Sequence, residues 1–161
     1  MLRRKKQPPS THLSLAFQDV AGVPRDVDGS PYKSLDLSHN RVSKLHSLKT
    51  FTNLESLVLD NNKIGTHVQF PFLPHLTRLW LNNNEVDNLV IFIDKVAVQF
   101  PKLKELSMLN NPAAPSFFNG GTKDEYHAYR LYVISRIPTL EVLDQSKVTV
   151  EERKAAVKMK T

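Results

Sequence analysis

LTRLWLNNNEV (76–86) lies on the same template as three other stretches of the chain: YKSLDLSHNRV (32–42), LESLVLDNNKI (54–64) and LKELSMLNNPA (103–113). The shared pattern is L-x-x-L-x-L-x-x-N followed, one residue on, by an apolar residue. One apolar column reads Leu35, Leu57, Leu79, Leu106, and the next reads Leu37, Leu59, Leu81, Met108. The polar column reads Asn40, Asn62, Asn84, Asn111, with steps of 22, 22 and 27 residues.

A period of 20–29 residues carrying this pattern is the signature of a leucine-rich repeat. Each unit is a short strand that buries its two consensus leucines. One unit alone leaves an apolar edge exposed, so several must stack. The sharp turn after the strand strands backbone groups in the interior, and these need partners. An asparagine has an acceptor oxygen and two amide donors on a short arm, so one side chain can serve backbone on both sides. The four asparagines therefore read as an inner polar ladder. The expected fold is α/β: a leucine-rich repeat solenoid of about five repeats, with a curved parallel sheet and a helical C-terminal cap.

The ends of such a stack must be covered. Upstream, HLSLAFQDVAGVP (12–24) has Leu13, Leu15 and Val20 in repeat-like positions, with Gln18 where the asparagine would stand. Downstream, PTLEVLD (138–144) supplies Leu140 and Leu143 as a fifth unit. The longer third repeat places Leu89, Phe92, Val96 and Phe100 at helical spacing, predicting a convex-side helix that ends before Pro101. Prolines, a double glycine and polar residues make 112–123 a loop. One or both of Phe117 and Phe118 are expected to tuck under it as cap core. A second helix near 123–136 carries Tyr126, Tyr129, Val133 and Ile137 on one face, and Thr149 with Glu152 forms a capping box for a third. The domain reading is a basic disordered tail over 1–11, the repeat domain with its cap over 12–148, and a helical tail over 149–161.

Composition is that of a globular protein, 40% hydrophobic and 24% charged. The absence of cysteine excludes disulfides, thiolate metal sites and cysteine nucleophiles, and it fits a reducing compartment. No apolar run follows the basic start MLRRKKQPPS, no run approaches a membrane span, and no N-x-S/T sequon occurs. The expected location is intracellular, cytoplasmic, with the nucleus as the alternative. Net charge is +6, of which residues 1–6 hold +4 and 151–161 hold +2, so 7–150 sums to zero. A balanced body argues against direct nucleic-acid binding by the folded domain. The basic ends read as solubilising segments, with weak contact to anionic membranes as the sharper alternative.

Chemistry finds little support. The six histidines form no H-E-x-x-H pair, and no G-x-S-x-G is present. Gly120-Gly121-Thr122-Lys123 lacks the spacing and ending of a phosphate loop. Asp36, Asp60 and Asp144 are carboxylates on the strand face without a partner acid or nucleophile. We expect no enzyme activity, no metal and no cofactor.

The segment YRLYVISRIPTLEVLDQSKVTVEERKAA (129–156) resembles the cap of a family of small intracellular leucine-rich repeat proteins. That cap has an aromatic-Arg helix, Pro-x-Leu, Leu-Asp, Val-Thr and a Glu-Arg helix. These stand here as Tyr129, Arg130, Pro138, Leu140, Leu143, Asp144, Val148, Thr149, Glu152 and Arg153. YRLYVI is similar to the spliceosomal A-prime type. LDLSHN (35–40), LVLDNN (57–62), QFPKLKELSMLNNPAAPS (99–116) and the long loop before EYHAYR (125–130) resemble the melanocyte-differentiation type, since the spliceosomal type has a shorter join before its cap helix. The resemblance covers about 30–156. It implies an adaptor, associated in the melanocyte type with biogenesis of melanosome-like organelles and related trafficking. The spliceosomal type implies instead a ribonucleoprotein subunit with a protein–RNA partner. Neither resemblance brings catalytic residues.

With the leucines inward, the outward strand positions read in columns. Asp36, Val58, Trp80 and Ser107 lie between the two leucines. Ser38, Asp60, Asn82 and Leu109 follow the second, and Ser34, Ser56, Arg78 and Glu105 precede the first. Val58, Trp80 and Leu109 thus form an apolar spot within a polar rim, the build of a protein-binding hot spot. The expected partner-binding residues are Asp36, Val58, Asp60, Arg78, Trp80, Asn82, Ser107 and Leu109. The expected partner is another protein, met by a monomer.

Overall fold

Leu13, Leu35, Leu57, Leu79, Leu106 and Leu143 stand side by side across six parallel strands. The computed structural model describes residues 8–159. The strands are β1 (His12–Ser14), β2 (Ser34–Asp36), β3 (Ser56–Val58), β4 (Arg78–Trp80), β5 (Glu105–Ser107) and β6 (Val142–Leu143), and a short β7 (Ser146–Lys147) pairs antiparallel with β6. Their spatial order is their chain order. The central leucine of each of β2 to β5 is fully buried, as are Leu37, Leu59, Leu81 and Met108.

The asparagine ladder forms as the sequence requires. Asn62 Oδ1 accepts from the backbone N–H of Val42 in the preceding repeat at 2.8 Å, while its Nδ2 donates to the carbonyls of Leu37 and Leu59 at 2.9 and 3.0 Å. Asn84 does the same with Ile64, Leu59 and Leu81, and Asn111 with Val86, Leu81 and Met108. All four ladder asparagines are buried. Asn40 closes the N-terminal end by accepting from Gln18 and Val20 N–H. Gln18 itself does not take an asparagine's place: its side chain is exposed and only its backbone joins the ladder. Among the described residues no earlier turn precedes the unit at 12–24 for a buried amide to satisfy.

The residue before each ladder asparagine holds a left-handed backbone: His39, Asn61, Asn83 and Asn110 all have φ between 56° and 58°. This bend turns the chain from strand into return leg. Asparagine tolerates it better than other residues with a side chain. Return legs carry the second half of the core, with Leu48, Phe51, Phe70, Leu73 and Phe100 buried. Gly29 is fixed by packing, since a Cβ there would lie 2.3 Å from the Phe51 ring.

The third return leg is helix α1 (Leu89–Gln99), capped by the Asn88 side chain accepting from Ile91 N–H and ending before Pro101. Phe92, Ile93 and Val96 face the core. Lys95 Nζ donates to the carbonyls of Thr66 and Val68, tying α1 to the repeat before it. Helix α2 (Lys123–Arg136) buries Tyr129, Val133 and, just past its end, Ile137.

Helix α3 (Val150–Lys158) starts with the Thr149–Glu152 capping box and lies against α2. Residues 149–159 therefore belong to the cap. Arg130 is its centre: Nε and Nη2 donate to the two oxygens of Glu152 at 2.6 and 3.1 Å, and Nη1 donates to the Leu143 carbonyl at 2.8 Å. Arg153 donates to the Leu140 carbonyl from the other side of the helix. The cap continues the sheet through Asp144, whose Oδ1 accepts from Met108 N–H at 2.7 Å. Asp144 is thus buried, not an open carboxylate on the strand face. Burial pushes its pKa above the usual carboxylate range. The basic residues 3–6 lie outside the described residues.

Candidate protein-binding site on the inner face of the sheet

In a horseshoe of this kind the strands line the inner surface, and their outward side chains form it. Trp80 is half-buried there, between Val58 on β3 and Ser107 on β5. Its Nε1–H donates to Glu105 Oε1 at 3.0 Å. Glu105 Oε2 accepts from Arg78 Nε at 2.9 Å, and the Arg78 guanidinium lies 5.6 Å from the Trp80 ring centroid. The indole stands partly open on this face. It is held at its polar edge by one carboxylate and flanked by one cation, a preset aromatic surface.

The rim is ordered by side chains that cap neighbouring backbone. Asp36 Oδ1 accepts from Ser38 N–H and Asp60 Oδ1 from Asn82 N–H, each at 2.8 Å. Asn82 Oδ1 accepts from Leu109 N–H at 2.8 Å and from the Ser107 hydroxyl at 2.7 Å. Burial raises the Asp60 pKa, the Asn82 N–H opposes that rise, and the nearby Asp36 charge adds to it. Neither Asp36 nor Asp60 has an ion-pair partner among the described residues.

Of the eight residues read from the sequence, Asp36, Val58, Asp60, Trp80, Asn82 and Leu109 are half-buried on this face and Arg78 is exposed. Ser107 is the correction. It is 1% exposed, with its hydroxyl turned onto Asn82, so it braces the rim from beneath. Alternation along the strand predicted an outward serine correctly in direction but could not show that the neighbouring amide closes over it.

Beside this face lies a feature the sequence placed wrongly. Phe117 and Phe118 do not tuck under their loop; they are 91% and 94% exposed. The loop is closed on itself instead. Asn119 Oδ1 accepts from Ser116 N–H, Asn119 Nδ2 donates to the Ala114 carbonyl, and Gly121 N–H donates to the Ser116 carbonyl. Gly120 supplies the left-handed turn at φ 81°. These bonds fix the segment without drawing either ring inward. Another unforeseen feature is Phe17, 74% exposed, which stacks on His39 with centroids 4.1 Å apart. Its sign in the sequence is its place, 22 residues before His39, in the left-handed column.

Residues 27–161 match the family model described as Leucine-rich repeat. The chain belongs to the leucine-rich repeat family. Within it, the human leucine-rich melanocyte differentiation-associated protein is 41% identical over 130 residues, covering 78% of this chain and 66% of the relative. The U2 small nuclear ribonucleoprotein A' of Candida albicans is 37% identical over 157 residues, covering 94% of this chain and 62% of its own. The chain therefore spans just under two-thirds of the length of both relatives. A chain in the crystal structure of the Drosophila melanogaster SNF/U2A' complex superposes with a TM-score of 0.71 at 25% identity, over 91% of this chain and 79% of that one. The resemblance to the melanocyte type and the cap shared with the A' proteins both hold. Among the described residues no group of three or more histidines and acids could hold a metal ion, and no helix is long and apolar enough to cross a membrane.

Proposed function

We propose that this leucine-rich repeat protein is a non-catalytic adaptor that binds a protein partner on the inner face of its sheet, around Trp80. The observation that carries the reading is the indole itself. While every central leucine of β2 to β5 is fully buried, Trp80 keeps part of its ring open, and its polar edge is already satisfied by Glu105. A preset aromatic beside Val58 and Leu109, ringed by Asp36, Asp60, Arg78 and Asn82, has the anatomy of an interface anchor. The name of the human relative supports a role in melanocyte differentiation, and the setting we propose is melanosome-type organelle biogenesis or related trafficking, in the cytoplasm. The Trp80→Ala variant tests it: partner capture in a pull-down or proximity-labelling comparison falls, while the unfolding midpoint stays close to wild type. Collapse of the fold would show that Trp80 is core.

The second reading, a nuclear ribonucleoprotein subunit with a protein–RNA partner, is favoured by the A' relatives and by the SNF/U2A' structure. It requires small nuclear RNA to co-purify through a protein partner. Pull-downs free of RNA and unchanged by nuclease would remove it. A contact of the basic ends with anionic membranes requires liposome flotation that falls when residues 1–6 are deleted.

A further inference from the structure

Two solvent-facing phenylalanines on a loop locked by its own hydrogen bonds are hard to explain as packing. Phe117 and Phe118 meet edge to face, with centroids 6.3 Å apart. With Leu109 and Tyr126 they line an almost wholly apolar cleft of about 370 Å³. Leu109 joins this cleft to the inner face, because its N–H is bound to Asn82 Oδ1 and it ends the column that runs Asp60, Asn82, Leu109. Charge polarises the combined surface. At one end stand Asp36 and Asp60, with no ion-pair partner among the described residues and only the His39 ring acting electrostatically to favour the Asp60 charge. At the other, residues 112–122 carry no charge, and the cleft's one charged lining residue is the cation Lys123. Strands lie about 4.8 Å apart, so Asp60 and Asp36 sit roughly 10 and 15 Å from Leu109 across the sheet.

We propose that the Phe117–Phe118 cleft is a second anchor site for the partner of the inner face, and that it takes an aromatic or leucine side chain from a basic protein segment whose lysine or arginine reaches Asp60 and Asp36. The inference rests on the reading of the inner face as a protein-binding surface. Complementarity selects the occupant. An acidic segment would bring like charge to two carboxylates that hold backbone N–H bonds but no ion-pair partner among the described residues, and a purely apolar one would desolvate them without supplying a cation. A cation placed there meets the charge that burial and mutual repulsion now penalise.

The test uses a phage-displayed library of linear 16-residue peptides selected on the full chain. Recovered peptides are then measured by fluorescence anisotropy against wild type, F117S/F118S, D36N/D60N and W80A. Both phenylalanines are exposed, and thermal melts confirm that each variant is folded before it is used. The expected peptides share an apolar anchor and a lysine or arginine. Their affinity falls about tenfold or more in F117S/F118S. It falls about three- to tenfold in D36N/D60N, with loss of salt dependence.

Peptides that need Trp80 but ignore F117S/F118S overturn this inference and leave the inner-face reading standing. Peptides indifferent to both overturn both. Peptides that need the phenylalanines and aspartates but not Trp80 keep the cleft and remove Trp80 as an anchor. Recovery of no peptide, or of acidic ones, overturns the inference. So does flotation on phosphatidylserine liposomes, or a concentration-dependent dimer in sedimentation, that is lost in F117S/F118S.

Discussion

The Glu105 carboxylate fixes Trp80 by its indole edge: Oε1 accepts the Nε1–H at 3.0 Å while Oε2 holds Arg78. The chain has one tryptophan, so emission excited at the red edge, where the four tyrosines do not absorb, reports the surroundings of this indole alone. Glu105→Ala should cost about 1.5–3 kcal/mol in urea unfolding, as expected for a hydrogen bond to a charged group. The emission maximum should move to the red as the indole edge meets water. An unmoved maximum would mean that packing, not Glu105, sets the ring.

Adjacent asparagines have different jobs. Asn84 satisfies buried backbone in two repeats, so Asn84→Ala strands the Ile64 N–H, while the Leu59 and Leu81 carbonyls each keep one bond, from Asn62 and Asn111. We expect a loss of about 1–3 kcal/mol in denaturant titration. Asn83, one residue earlier, is exposed: its Oδ1 accepts only a surface bond from Asn110 Nδ2, and its backbone holds φ 56°. There Asn83→Gly should be tolerated, while Asn83→Val should cost about 1–2 kcal/mol. Equal effects of Asn84→Ala and Asn83→Gly would refute the division.

The Arg130–Glu152 pair holds α2, α3 and the last strands together, with side chains only 6% and 15% exposed. Removing one partner of a buried pair strands the other, so Arg130→Ala should cost about 3–5 kcal/mol. The bond to Arg130 holds the Glu152 carboxyl below its usual range, and the Thr149 N–H assists. A lowered folded pKa means stability that is complete above the unfolded value and fades as pH falls through the folded one. Acid titration of stability from pH 5 downward should therefore show a steeper loss in wild type than in Glu152→Gln. Parallel curves would count against the assignment.

Tyr129 predicts an effect at the other end of the scale. Its hydroxyl is fully buried with no hydrogen-bond partner among the described residues. Burial, and then the nearby Asp144 charge, push its pKa well above that of a free phenol. The folded state keeps the proton, so this stability is present below about pH 10 and is lost as pH rises further. Tyr129→Phe removes an unsatisfied polar atom and should be neutral or stabilising at pH 7. It should also flatten the alkaline limb of the stability profile. Destabilisation at pH 7 would reveal a hydrogen bond to Asp144 in solution.

The leucine columns, the ladder and all three helices were legible because each is written as a spacing, and the repeats state the scaffold four times over. What escaped had no period. One or both of Phe117 and Phe118 were assigned to the core because aromatics are usually buried, but Asn119 closes their loop through local backbone bonds that give the rings nowhere to go. Alternation placed Ser107 and Asp144 on the strand face and could not show the neighbours that cover them. The left-handed column was in plain sight as His39, Asn61, Asn83 and Asn110. Its meaning lies in backbone torsion, which a hydrophobic pattern does not encode. Trp80 was found by the opposite route, as the residue that breaks its column.

The asparagine ladder also has a direction. Each amide oxygen accepts from the turn of the repeat before its own, never from the one after. A repeat leaving the ribosome therefore cannot finish its own turn; the next one synthesised completes it. Folding during synthesis, which proceeds from the N-terminus, then trails the growing chain by one unit. The last closure waits for Asp144 to reach Met108. Ribosome-stalled chains ending after Asn62, Asn84, Asn111 and Asp144 should gain protease resistance one repeat behind their length, so that the order of assembly is written into which way a side chain points.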